Sequence, residues 1–369
     1  MANQIEQPVS DRMSARIWNF VSSELGPYLR AKDKKPLARQ IREMRAMYRE
    51  YGTLPYYYVT HGLYRNSHSE DVLEYIPVDR MIRFCNSLNA REGVKAASDK
   101  ASFSEVMRNA GLPAVGHFAV LQNSGEIRDA DGTAMHFRNF VTLLRGKCQE
   151  AFIKLRECSQ GLAALRLPVA EIERMGWREL HQRLWGPGVT PSSEYLVQPV
   201  VVQHPLLASL TNISVNTVRI DTYLAGDTVH FNKAVLRVGN GIACTDNWAS
   251  GGYIVKIDLD SGTLRGTGKI KSKYGKGEYS RHPRSGTRFD GLELPYWREL
   301  KSLVRQAAPM MLPLRSLGWD VALTPEGPLL IEVNHDYDIF LSQYACGGYR
   351  DTPFGRALLS SEVGAPVPA

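Results

Sequence analysis

Three oxygen-bearing side chains, Asp320, Glu332 and Asn334, stand where a hairpin would gather them. Residues 318–338 read G-W-D-V-A-L-T-P-E-G-P-L-L-I-E-V-N-H-D-Y-D, two apolar runs flanking Thr324-Pro325-Glu326-Gly327. That pattern signals a hairpin. Pro suits the second position of a type I turn, and Gly supplies the left-handed residue that closes a three-residue loop with a bulge. A loop from Pro325 to Gly327 sets Thr324 opposite Pro328, Ala322 opposite Leu330 and Asp320 opposite Glu332. Side chains alternate along a strand. Trp319, Val321, Leu323, Leu329, Ile331 and Val333 then form an apolar face, and Asp320, Glu332 and Asn334 share the other. Hard cations take oxygen ligands, and Mg²⁺ takes one or two carboxylates with phosphate oxygens and water. The same residues also suit a hairpin with a wet polar face. A two-residue loop would shift the register by one and turn Asp320 to the wrong side.

The elements that would position a charged partner for this hairpin come earlier in the chain. A-S-D-K-A-S-F-S-E-V-M-R-N-A-G-L-P-A-V, residues 97–115, places Lys100 before a short helix. Ser102 and Glu105 have capping-box spacing there, Gly111 ends the helix, and a strand follows near Val115. A-F-I-K-L-R-E-C-S-Q-G, residues 151–161, puts Lys154 on a strand before a Ser-Gln-Gly turn. Val169–Leu184 has helical spacing with Val169, Ile172, Met175 and Leu180 inward. E-Y-L-V-Q-P-V-V-V, residues 194–202, reads as a buried strand. S-V-N-T-V-R-I-D-T-Y-L, residues 214–224, alternates, with Thr217, Arg219 and Asp221 on one face and Asn216, Val218 and Ile220 on the other. A strand over 229–238 carries Arg237, and D-N-W-A-S-G-G follows at 246–252.

G-W-D-V-A-L closing in I-E-V-N resembles the terminal metal-binding hairpin of ATP-grasp enzymes, in particular the sugar-transfer-associated branch. The resemblance runs from about Asp99 to Asn334, through the motifs above in family order. It implies an α+β fold in which two α+β subdomains clamp ATP. It also implies that Lys100 and Lys154 reach nucleotide phosphates, with the Gly161 loop folding over them. Gln198 and the backbone of Val200 and Val201 would hold adenine. Arg219, Arg237, Asn247 and the Gly251-Gly252 backbone would face the transferred phosphate, a task suited to the planar guanidinium fork. Asp320, Glu332 and Asn334 would hold Mg²⁺. H-P-R-S-G-T-R-F-D-G, residues 282–291, resembles a further signature of the branch. The activity implied is ATP-dependent joining of a carboxylate to an amine, such as an amino acid, peptide or amino sugar. A kinase-like phosphoryltransferase and a non-catalytic nucleotide-binding partner of glycan assembly are the alternatives.

Around this frame, residues 1–95 read as helical and basic, without the strand–helix alternation of a Rossmann-like unit. Ser10 and Asp11 can cap a first helix carrying Met13, Ile17, Phe20 and Val21. Pro36 opens another, with Leu37, Ile41, Met44, Met47 and Tyr48 on one side and its end near Gly52. Tyr56, Tyr57, Tyr58, His61 and Tyr64 either line an acceptor pocket or pack helices together. The division expected is 1–95, then a small subdomain over 96–197, a large one over 198–350, and a disordered tail over 351–369. Lys269 to Arg288 reads as a mobile basic loop that closes over the acceptor, with His282 and Arg284 beside it. Residues 262–269, G-T-L-R-G-T-G-K, lack P-loop spacing.

The 369-residue length, 43% apolar content and net charge of +7 describe a globular chain suited to anionic ligands. There is no RNA-recognition signature. Five cysteines at wide spacing, none in C-x-x-C, argue against a disulfide framework or zinc site. No signal-peptide core opens the chain, and no apolar run reaches the ~18 residues of a membrane span. A cytoplasmic protein without nucleic-acid or membrane-spanning partners is the expectation.

Overall fold

The computed structural model describes residues 26–362 except 54, 56, 158–163, 187, 272, 273, 275, 276 and 338. The expected helix after Ser10, the Gly161 loop and Tyr56 lie outside the described residues. α1 (Gly26–Arg30), α2 (Leu37–Tyr51), α3 (Tyr57–Thr60), α4 (Val78–Leu88) and α5 (Arg91–Ser98) form the helical first part. α2 stops where Gly52 takes a left-handed φ of 66° and its N–H bonds the Tyr48 carbonyl. A residue with a Cβ is disfavoured in that conformation, so Gly52 sets the end of the helix.

Its burial differs from the sequence pattern. α2 buries Gln40, Met47 and Tyr51, while Leu37, Ile41 and Tyr48 face solvent. The true inward stripe includes a polar residue: Gln40 donates to the Lys35 carbonyl and accepts from the Tyr28 hydroxyl. Tyr57, Tyr58 and Tyr64 are buried in a cluster with Met47, Leu63, Val72 and Tyr75, so of the two readings of the aromatic run, packing is the one found.

α6 (Lys100–Asn109) leads into a six-stranded antiparallel sheet of order β3-β2-β1-β6-β4-β5. Its strands are β1 (Ala119–Gln122), β2 (Ile127–Asp129), β3 (Ala134–Met135), β4 (Glu150–Leu155), β5 (Leu165–Pro168) and β6 (Glu194–Pro199). α7 (Phe137–Lys147) and α8 (Val169–Leu184) share a core with these strands around Phe140, Ile153 and Ile172. α8 buries the expected Val169, Ile172, Met175 and Leu180, but Gly176, at a φ of 66° and ψ of 176°, breaks the expected single helix into two pieces. α6 is capped by Asp99 rather than Ser102: Asp99 accepts from the Ala101 and Ser102 N–H groups and from the Ser102 hydroxyl. A carboxylate one turn earlier satisfies the same free donors and suits the positive end of the helix. The expected strand near Val115 begins at Ala119, and the strand expected to reach Val202 ends at Pro199, which has no N–H for the ladder.

After α9 (Pro205–Ala208) comes a seven-stranded antiparallel sheet of order β11-β10-β9-β8-β7-β12-β13. Its strands are β7 (Thr217–Ala225), β8 (Thr228–Val238), β9 (Tyr253–Ile257), β10 (Leu264–Lys269), β11 (Glu278–Tyr279), β12 (Ser316–Thr324) and β13 (Gly327–Asn334). One face packs on α10 (Trp297–Ala307), α5 and α6 through Val218, Ile220, Leu236, Trp319, Val321 and Leu330. α11 (Ile339–Cys346) lies over β8 and β9 on the other face. Gln343 of α11 accepts from the Ile76 N–H at 3.0 Å and donates to its carbonyl at 2.9 Å, fastening the helical first part to the sheet. The expected disordered tail instead begins with α12 (Pro353–Glu362), held by Phe354 and Leu358 in a buried cluster.

Candidate functional site

β12 and β13 pair differently from the expected hairpin, yet reach the expected result. Thr324 faces Gly327 across a two-residue Pro325-Glu326 loop, so the tip is out by one residue. Val321 faces Leu330 and Asp320 faces Glu332, which leaves Ile331 as an extra residue. That bulge restores the register that the short loop displaced. It also moves Leu330 into the core, while Ile331 faces the cavity described next.

A cavity of about 570 Å³ is lined by both sheets. Lys100, Phe152, Lys154, Arg166 and Gln198 contribute from the small sheet and the start of α6. Thr217, Arg219, Arg237, Glu332 and Asn334 contribute from the large one. Val200 and Val201 line it where the chain passes between the sheets, and Asn247 lines it from the turn after β8. The structure therefore gathers every expected site residue at this cavity except Asp320. Alternation along β7 and β8 explains the arginines: Val218, Ile220 and Leu236 fill the core, which turns Arg219 and Arg237 the other way.

Lys154 is buried on β4. Burial pushes its ammonium down to about 8, against the pull of Glu332. Lys100 is buried too, with its Nζ 3.8 Å from the Glu332 carboxylate. Two desolvated ammonium groups beside one carboxylate are suited to polyanionic oxygens.

Asp320 has no exposed surface. Its carboxylate accepts from Arg219 Nε at 2.6 Å and from the second Arg219 nitrogen at 3.1 Å, and Arg237 stands 2.9 Å away. Burial alone would raise this carboxyl, but the two arginines hold it far below the usual carboxylate range. Arg237 also donates to the Thr217 hydroxyl at 2.7 Å and lies 3.6 Å from Asp246, itself buried. Asp246 accepts from the Thr217 N–H at 2.9 Å, so an aspartate beside the expected Asn247 completes the network. Asn247 accepts from the Ala249 N–H at 2.8 Å and caps the short turn ahead of Gly251 and Gly252.

The donor set fits one kind of cation. Among the described residues no three His, Cys, Asp or Glu side chains cluster as a protein-only metal cage. Glu332 and Asn334 line the cavity, and so does Asp336, which the sequence reading missed although it follows the same hairpin by two residues. One or two carboxylates and an amide match a magnesium ion that takes its remaining oxygens from phosphate and water.

In the basic stretch after β10, the two residues expected beside the acceptor lie off this cavity. His282 is buried, its Nε2 3.0 Å from the Gly239 carbonyl and its Nδ1 accepting from the Ser285 N–H at 3.2 Å. It organises its own turn, and neither it nor Arg284 lines the cavity. Lys271 does, with its ammonium 4.6 Å from the centre of the Trp248 ring.

Among known proteins, no curated sequence matches. The ATP-grasp ligase PsnB with its minimal precursor aligns at 12% identity and a TM-score of 0.40, over 75% of this chain and 64% of that one. The chain thus spans under two thirds of that enzyme's length. D-cycloserine synthetase DcsG aligns at 12% identity and a TM-score of 0.41, over 78% and 79%. The D-alanine–D-alanine ligase from Coxiella burnetii aligns at 11% and 0.41, over 75% and 61%. The family model described as sugar-transfer associated ATP-grasp matches residues 180–348, which hold Arg219, Arg237, Asn247 and the whole β12–β13 hairpin. Over that segment the chain is similar to the sugar-transfer-associated ATP-grasp family.

Proposed function

We propose that this chain is an ATP-dependent ligase that joins a carboxylate to an amine through an acyl phosphate, releasing ADP and phosphate. The observation that carries the reading is one cavity with two buried lysines on the small-sheet side and two arginines with Glu332 on the other. Residues 96–197 and 198–350 are then the two halves of the clamp. Lys100 and Lys154 meet phosphate oxygens as point charges, and Gln198 with the backbone of Val200 and Val201 holds the base. Arg237, at the rim of the arginine pair, offers its guanidinium to the transferred group, while Arg219 stays tied to Asp320 and keeps Arg237 in place. Glu332 and Asn334, with Asp336 at the same mouth, are the residues that would hold magnesium, which supplies neutralisation of phosphate charge when bound. Asp320 serves the set from beneath, through the arginines.

In the first step a carboxylate oxygen bonds to the γ-phosphorus as the bond to the β-bridging oxygen breaks and ADP leaves. In the second, the amine nitrogen bonds to the acyl carbon, phosphate leaves with the carboxylate oxygen, and the spare proton goes to solvent. Positioning and charge stabilisation account for both steps, and the cavity supplies both. The test is a screen of ADP release against amino acids, peptides and amino sugars, followed by ¹⁸O labelling of the accepted acid. Label in inorganic phosphate with ADP supports ligation. AMP with pyrophosphate, a stable phosphorylated product needing no amine, or ATP binding with no turnover across the screen would each overturn it.

A further inference from the structure

α2 presents two different surfaces to solvent. Projected at 100° per residue, Leu37, Tyr48 and Ile41 fall in one narrow stripe beside the buried Gln40, Met47 and Tyr51 face. They are 65%, 53% and 38% exposed. Leu29, 64% exposed, sits on α1, which Tyr28 ties to α2 through Gln40. Next around the helix come Arg45, Arg49 and Arg42, all exposed. Residues 26–52 hold eight Lys and Arg against three Asp and Glu. Each of those three acids is already engaged: Asp33 by Arg65, Glu43 by Lys35 and Arg39, and Glu50 by Arg350. Arg42, Arg45 and Arg49 have no carboxylate within ion-pair distance among the described residues.

An apolar stripe flanked by unneutralised arginines is the pattern of a helix that lies in a membrane interface, apolar side chains in the acyl boundary and cations among headgroups. We propose that α2 docks this protein onto an anionic lipid bilayer, with Leu37, Ile41 and Tyr48 entering the interface and Arg42, Arg45 and Arg49 meeting lipid phosphates. The charge selects the occupant. A second copy of this chain would set the arginines against each other, whereas an anionic surface neutralises them. The binding would be peripheral, since no helix among the described residues is long and apolar enough to cross a membrane.

The experiment is co-sedimentation of the full chain with vesicles of phosphatidylcholine alone and of phosphatidylcholine with phosphatidylglycerol in equal parts. Binding is expected only to the anionic vesicles and should weaken as salt rises. R42E/R45E/R49E should lower partitioning by about a hundredfold, at roughly a factor of five per arginine. L37S/I41S/Y48S should lower it by about tenfold or more, because the apolar contact is lost. Both variants should keep the wild-type melting temperature within a few degrees, as these side chains are outside the core. Conservative R42K/R45K/R49K should retain binding. No binding to anionic vesicles would overturn the proposal, as would binding that survives loss of the apolar stripe, which would be plain electrostatic adsorption. A concentration-dependent dimer, seen by light scattering and abolished by the serine variant, would assign the stripe to a second copy instead.

Discussion

Arg219 grips Asp320 through two contacts of 2.6 and 3.1 Å, with both side chains buried at neighbouring positions of adjacent strands. Asp320 lies beside Glu332 across the hairpin but is buried beneath it, while Glu332 and Asn334 line the cavity wall. The three residues therefore differ in what their removal should cost.

Asp320→Asn should lower stability by about 3–5 kcal/mol, since two arginines lose a buried counter-charge. Glu332→Gln should melt within a few degrees of wild type but lose most ATP turnover, because Glu332 is partly exposed. Thermal melts beside ADP-release assays distinguish the two. Equal melting points for both variants would contradict the division of roles.

Lys154 should set the alkaline limb of nucleotide binding. Burial lowers its ammonium to about 8, so its positive charge is lost as pH rises through that value. ATP affinity should then fall roughly tenfold per unit above about pH 8, until the lysine is fully neutral. Lys154→Arg should flatten that limb, because a guanidinium stays protonated. Titration calorimetry from pH 7 to 9.5 provides the check, and an identical pH profile in both proteins would remove Lys154 from the phosphate contact.

The bulge makes an unusual deletion tolerable. Removing Ile331 would join Leu330 to Glu332 and leave Val321 opposite Leu330 and Asp320 opposite Glu332, the pairs already present. This deletion should fold, with weaker ATP binding from the missing cavity wall. Leu330→Ala instead takes a fully buried side chain from the core and should cost about 2–5 kcal/mol. Denaturant midpoints of the deletion and the substitution would show the contrast, and a deletion as costly as Leu330→Ala would mean that Ile331 is not the extra residue.

Asp221 is a buried carboxylate on β7 that joins two elements packed over the large sheet. Its Oδ2 accepts from the Ser342 hydroxyl of α11 and, at 2.7 Å, from the Tyr349 hydroxyl. Burial raises it to about 6 despite those donors and Arg219. With the folded value above the unfolded one, its contribution to stability is complete below about pH 4 and is lost as pH climbs through 6. Asp221→Asn removes this dependence. The stability difference between variant and wild type should shift in the variant's favour by about 2–3 kcal/mol from pH 4.5 to 7. A pH-independent difference in urea unfolding would show that Asp221 titrates alike in both states.

Much of the site was legible because it depends on local periodicity. Apolar alternation along residues 217–225 and 228–238 forces Arg219 and Arg237 onto one face, whatever else the chain does. The inward residues of 169–184 follow from the same kind of short-range rule, although Gly176 breaks the helix. The family resemblance singles out Lys100, Lys154, Glu332 and Asn334, and all four line the cavity.

What lies across from a residue is not local, and there the tertiary structure decided. Ile331 bulges out because the core needs Leu330 beside Val321, a demand made by packing rather than by the turn residues. Asp320 faces Arg219 because β12 pairs with β7, two segments about a hundred residues apart in the chain. His282 turns inward to the Gly239 carbonyl, and Gln40 displaces the expected aliphatic stripe of α2, because each found a hydrogen-bond partner in another segment. A polar group that finds such a partner can be buried at little cost, and one that finds none cannot. The sequence alone determined which residue types stand on which strand faces; only the assembled fold, by supplying or withholding partners, decided which of them reach the cavity.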